Sequence, residues 1–127
     1  MTEPESNIAL SELQIAVVRV LWQRGETSVA EMAKVLGEER GLKHTTVATL
    51  LTRLEKRGVV EQRREGRQLV YRALVSEPQV RRSMVADLVG TLFGGDSREL
   101  VAHLVRESEL APGDLERLRK RLKRTTP

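Results

Sequence analysis

The chain has 127 residues, with 22 Lys and Arg against 18 Asp and Glu, two His, no Cys, and three aromatics: Trp22, Tyr71 and Phe93. That length fits one domain, or a small domain with an appendage, and the lack of cysteine excludes a disulfide framework, a thiolate metal site and a Cys nucleophile. The first residues lack a basic region followed by a long apolar run, and no apolar stretch approaches the roughly 20 residues of a membrane span, so neither a signal peptide nor a membrane-crossing helix is expected.

Residues 1–10 are polar and are expected to form a flexible N-terminus. Ser11 with Gln14 three positions on reads as a capping box opening a helix. Its apolar positions form two stripes, Leu13–Val17–Val20–Leu21 and Ile15–Val18–Trp22, so burial on more than one side is expected, with an end near Gly25. A second box at Ser28 and Glu31 opens a short amphipathic helix through Val29, Met32, Ala33 and Leu36, closing at Gly37. After a polar loop, a third helix is predicted over His44–Arg57. Val47, Leu50, Leu51 and Leu54 form its core stripe and Gly58 terminates it.

The period then changes. Val59–Arg64 and Arg67–Ala73 read as two strands joined at Glu65-Gly66, with Arg63, Arg64 and Arg67 at the tip. Val75-Ser76-Glu77-Pro78 marks a boundary, Pro78 suiting the first turn of a new helix. Three helical patterns follow: Gln79–Phe93, Ser97–Glu107 and Pro112–Lys123. The expected organisation is therefore a flexible 1–10, a first domain over 11–75 and a helical segment over 76–127. About 50 helical residues are too few to close a core alone, so their apolar stripes are expected to pack against a second copy of the chain. The residues assigned to that dimerisation are Met84, Val85, Leu88, Leu92, Leu100, Leu104, Leu115, Leu118 and Leu122.

The fold class read from this order is mainly α with a small β-hairpin wing: a winged helix-turn-helix followed by an α-helical dimerisation domain. The charge agrees with a phosphate-binding surface. Residues 40–72 hold nine basic and three acidic side chains, +6 in a chain of net +4. The outer face of the third helix carries Thr45, Thr46, Ala48, Thr49, Thr52, Arg53 and Lys56. Short hydroxyl side chains can approach base edges in a major groove about 12 Å wide, while cations reach phosphates or guanine. Lys43, Thr45, Thr46 and Thr49 are expected to supply specificity, and Arg53, Lys56, Arg63, Arg64 and Arg67 affinity. His44 reads as a helix-start residue or phosphate contact; its only companion, His103, lies in another segment, so no metal site is expected. Trp22 and Tyr71 read as packing groups. No Gly-rich phosphate loop, HExxH or Ser/His/Asp signature is present, so the chain is expected not to be an enzyme and to need no cofactor.

The segments LSELQIAVVRVLWQRGETSVAEMAKVL and HTTVATLLTRLEKRGVVEQRREGRQLVYRALVSEPQVRRS, continuing through LVGTLFGGDSRELVAHLVRESELAPGDLERLRKRL, resemble the penicillinase repressor family (BlaI/MecI, with the copper-responsive CopY repressors as relatives). The resemblance implies a cytoplasmic, homodimeric transcriptional repressor recognising a palindromic promoter operator built around TACA/TGTA half-sites, with the base-reading helix on His44–Arg57 and the wing on Arg63–Arg67. In members responding to β-lactams, derepression follows cleavage of an Asn-Phe bond by a sensor-protease pathway. The matching positions here are His103 and Leu104, a departure that leaves a sensor-protease partner open. The cysteine-rich tail of the copper-sensing branch is absent. Beside this reading stand two others: a winged-helix protein-interaction adaptor, and a non-specific architectural DNA binder.

Overall fold

The computed structural model describes residues 8–107, 110, 111 and 113–125. The element order is α1 (Glu12–Arg24), β1 (Thr27–Ser28), α2 (Val29–Arg40), α3 (His44–Lys56), β2 (Val60–Glu65), β3 (Gln68–Ala73), α4 (Glu77–Leu92), α5 (Ser97–Arg106) and α6 (Asp114–Thr125). It is the expected class, mainly helical with a small sheet. The expectation for residues 1–10 falls mostly on 1–7, which lie outside the described residues; Ile8 and Leu10, by contrast, are buried in the core.

Local chemistry accounts for the helix boundaries. Ser11 and Gln14 form the expected reciprocal box: the Ser11 hydroxyl accepts from the Gln14 N–H, and the Gln14 amide oxygen accepts from the Ser11 N–H. At Ser28 only half of the box forms, its hydroxyl accepting from the Glu31 N–H. The Glu31 carboxylate turns instead to Arg24, 3.3 Å away. Helix α2 does not close at Gly37 but continues to Arg40, because Gly41 supplies the left-handed stop at φ 70°. A further reciprocal box opens α4, where Ser76 and Gln79 exchange bonds of 3.2 and 2.7 Å.

The sheet has three antiparallel strands in the order β1-β3-β2. Glu65 pairs with Gln68, so the turn is Gly66-Arg67, one residue later than expected, with Gly66 at φ 62°. Strand β1 was not anticipated, since two residues, Thr27 opposite Tyr71 and Ser28 opposite Val70, are too few for a periodic signal.

By contacts, the chain divides into two compact units, residues 1–85 and 86–127. This division lies inside α4 and not at residue 75, where the sequence suggested a boundary. In the first unit Val17, Val18, Met32, Leu36, Val47, Leu51, Leu54, Val59 and Val60 are fully buried, and Val80 belongs to the same core. Burying one such side chain stabilises by about 1.5–3 kcal/mol. Met84, expected at a dimer contact, packs against this core. Two bonds fasten the segment that leads into α4: Trp22 Nε1 donates to the Val75 carbonyl at 2.9 Å, and the Ile8 N–H donates to Ser83 Oγ at 2.8 Å.

In the second unit, Asp96 caps α5 by accepting from the Arg98 N–H. The Phe93 and His103 rings lie 6.0 Å apart, tilted at 57°. Its apolar stripes stay uncovered: Leu92 is 67% and Leu122 65% exposed, and Leu88, Leu115 and Leu118 are also exposed, as is Val85 at the end of the first unit. Leu100 and Leu104 are half-buried.

Candidate nucleic-acid interface

The α3 stripe Val47, Leu50, Leu51 and Leu54 is buried, which turns the opposite face outward. Thr45, Thr49, Thr52, Arg53 and Lys56 on that face are exposed, as are Lys43 and His44 at the helix start, while Thr46 and Ala48 are half-buried. The expected base-reading set is thus brought together on one helix. Its hydroxyls are not equivalent. Thr49 Oγ1 donates to the Thr45 carbonyl, and Thr52 Oγ1 to the Ala48 carbonyl, each at 2.9 Å. The proton of Thr49 is therefore committed, leaving a methyl group and an acceptor lone pair facing outward.

Beside α3, the wing forms the second wall of a groove lined by Ser28, Val29, Ala30, His44, Ala48, Thr52, Arg67, Gln68, Leu69 and Tyr71. Ser28, Ala30 and Gln68 were not anticipated, because only the two-residue β1 strand brings the start of α2 against the wing. Tyr71 is buried, and desolvation, followed by the nearby Glu55 carboxylate, raises its hydroxyl above the ordinary value. It is held neutral as a packing group.

The hairpin arginines separate by strand alternation. Arg64 stands opposite Leu69 and shares that face of the sheet with Tyr71, the side facing α3; Arg63, opposite Val70, points the other way. There Arg63 donates from Nε and Nη2 to the two carboxylate oxygens of Glu26, both at 2.9 Å, and from Nη2 to Glu65 at 3.0 Å. The arrangement holds the Glu26 carboxyl below its ordinary value, through the Arg63 hydrogen bond before any other cause. Arg63, expected among the phosphate contacts, is thus already neutralised. The partner responsible, Glu26, is 37 positions away and gives no local signal in the sequence.

Similar sorting applies to the rest of the basic block. Arg40 pairs with Glu12 at 3.0 Å and Arg72 with Glu61, while Arg57 donates to the Ala9 carbonyl. Among the described residues Lys43, Arg53, Lys56, Arg64 and Arg67 hold no ion pair and are exposed. These five cations frame the threonine face. No group of His, Cys, Asp or Glu among the described residues has the clustering of a metal site, and none of their helices is long and apolar enough to cross a membrane.

A family profile and several curated relatives agree on one family. The penicillinase repressor family profile matches residues 10–124. The methicillin resistance regulatory protein MecI of Mammaliicoccus sciuri is 23% identical over 110 residues, 87% of this chain and 89% of that protein. The penicillinase repressor of Staphylococcus aureus is 23% identical over 119 residues, 94% and 93% of the two chains. Among solved structures, the DNA-binding domain of the repressor BlaI superposes with a TM-score of 0.55 and 26% identity, covering 61% of this chain and 93% of that one. With a winged helix-turn-helix fold and a family match running through all six helices, the chain belongs to the penicillinase repressor family.

Proposed function

We propose that the chain is a cytoplasmic, homodimeric, sequence-specific DNA-binding repressor without catalytic activity, acting on a palindromic promoter operator. The observation that carries this reading is the sorting of charge just described. Within the basic block of residues 40–72, Arg40, Arg63 and Arg72 are paired with carboxylates and Arg57 donates to the Ala9 carbonyl, whereas Lys43, Arg53, Lys56, Arg64 and Arg67 hold no ion pair among the described residues and lie on or beside a helix face of hydroxyls and methyls. In this role α3 enters the major groove; Lys43, Thr45, Thr46 and Thr49 approach base edges, with His44 at the helix start, and Arg53, Lys56, Arg64 and Arg67 meet phosphates. Arg64 and Arg67 extend the contact along the neighbouring backbone.

Dimerisation rests on the uncovered stripes of α4, α5 and α6, notably Leu88, Leu92, Leu115, Leu118 and Leu122. A two-fold dimer implies a palindromic operator with half-site centres about one helical turn, or a multiple of it, apart. TACA/TGTA half-sites remain the proposed letters. His103 and Leu104 lie within α5, where the His103 carbonyl accepts from the Glu107 N–H. The pair lacks the Asn-Phe chemistry of the β-lactam branch, so release by cleavage there forms no part of the proposal.

The test is binding of the full chain to its own upstream DNA across a salt series. If roughly 6–10 phosphates are neutralised per dimer, log K falls against log salt with a slope near −5 to −9, and protection covers an inverted repeat. Equal affinity for upstream and random duplex would instead favour an architectural binder, and no affinity for either an adaptor.

A further inference from the structure

The last helix has a charge pattern that dimerisation leaves unexplained. Helix α6 carries two acidic residues, Asp114 and Glu116, both in its first turn. From Arg117 to Arg124 every residue except Leu118 and Leu122 is basic. Like charges four residues apart, as in Arg117/Arg121 and Arg119/Lys123, oppose helix formation. Complementarity to the helix dipole accounts for cations in the final turn alone, so the run is longer than helix stability calls for. Arg117 is paired with Asp114. Arg119, Lys120 and Lys123 are exposed and hold no ion pair among the described residues.

At about 100° per residue, Leu115, Leu118 and Leu122 share one narrow stripe. Lys120 falls nearly opposite the stripe, Lys123 lies well to one side, and Arg119 flanks it. A partner covering the leucines leaves the two lysines facing outward.

We propose that this cationic face of α6 is a second, sequence-independent duplex-DNA-binding surface. The inference rests on the reading of the chain as a DNA-binding protein and adds to it a contact outside the winged helix. Charge complementarity selects the occupant: a polyphosphate surface takes a row of cations without needing apolar insertion. A lipid surface would require the opposite face to be inserted, and that face has three leucines, no aromatic, and a competing use in the dimer. Contacts of this kind raise affinity for all sequences equally and steepen the salt dependence.

The experiment uses the full chain and a random-sequence duplex, read by fluorescence anisotropy from about 0.05 to about 0.3 M salt, with oligomeric state followed by sedimentation. Three variants are compared: Arg119→Gln/Lys120→Gln/Lys123→Gln, the charge-retaining Arg119→Lys/Lys120→Arg/Lys123→Arg, and Arg64→Ala/Arg67→Ala in the wing. The expected result is at least a tenfold loss for the Gln variant near 0.1 M salt, with a slope shallower by about 2 or more, and wild-type binding for the charge-retaining variant. If the triple Gln change disturbs the dimer, Lys120→Gln/Lys123→Gln, which spares the leucine flank, is read in its place. A Gln variant that binds like wild type while the wing variant is weakened overturns the α6 surface and leaves the DNA-binding reading intact. Absence of duplex binding by the wild-type chain overturns both. Phosphatidylserine vesicles give the remaining arm: loss of vesicle binding by the Gln variant with unchanged duplex affinity assigns the face to lipid and overturns the proposal.

Discussion

Glu26 grips Arg63 with both carboxylate oxygens, each at 2.9 Å, and so connects the loop after α1 to the outer face of the wing. The pair withholds one cation from the basic surface. Glu26→Gln should release Arg63 and strengthen binding to random duplex several-fold, with a steeper salt slope. Arg63→Gln should cost less affinity than Arg64→Ala, which should weaken binding to all sequences alike. Anisotropy titrations of the three variants against wild type check the ordering; equal losses for Arg63→Gln and Arg64→Ala would contradict it.

The same pair has a pH signature. Because Arg63 depresses the Glu26 carboxyl below its ordinary 4.5, the contribution to stability is complete above the unfolded carboxylate value. It is lost as the pH falls through the lower folded value. Both groups are exposed, so the effect is small. Thermal melts of wild type and Glu26→Gln should differ by a constant amount from about pH 5 upward and converge on acidification. A gap that widened toward low pH would show that the pair does not act in this way.

Base readout should separate the two halves of a threonine side chain. The Thr49 hydroxyl proton is committed to the Thr45 carbonyl, so its methyl group is the part free to meet a thymine methyl. Thr49→Val should therefore keep most operator discrimination, whereas Thr49→Ser should lose about 1 kcal/mol, the worth of one buried methyl group, at one base-pair position. Competition among single-substitution operators measures this. Greater loss with Val than with Ser would assign the contact to the hydroxyl.

Separating reader from dimeriser requires a cut after Val85. A chain ended at Val75 would lose Val80, Met84 and the Ser83 hydroxyl that receives the Ile8 N–H, and so would lose core as well as partner. Ended after Val85, the chain should fold, sediment as a monomer and bind DNA far more weakly than the tethered pair of readers. Leu118→Glu in the full chain should act in the same direction. A dimeric 1–85 fragment would place the interface in the first unit.

Leu51 is fully buried on the inner face of α3. Leu51→Ala should cost about 2–5 kcal/mol of stability, seen as a lower urea midpoint, while the folded fraction keeps its sequence preference. A changed preference in the folded protein would mean that α3 shifts as its core support is removed.

Helices were legible in the sequence where periodicity met a capping signal. The α3 stripe was read residue by residue, and Ser11 with Gln14 marked the start of α1. What escaped depended on partners remote in sequence. Gly37 looked like a helix stop because glycine commonly is one, yet the left-handed backbone that stops α2 is at Gly41. The contact-based division falls beyond residue 75 because Val80 and Met84, early in α4, pack with the first unit's core. In the candidate site, the residue types marked the α3 face and the wing tip, but the pairing of Arg63 could not be read before Glu26 and Arg63 were brought across the sheet.

Strand β1 is two residues long and has two commitments. Thr27 is buried opposite Tyr71, with its hydroxyl on the Gly25 carbonyl, while Ser28 pairs with Val70 and caps α2. An insertion or deletion here would displace both the wing and the start of α2. Added length is better accommodated at the exposed Gly66-Arg67 tip, where the ladder has ended. The wing tip can lengthen, but the dipeptide that joins the sheet to α2 must keep its spacing.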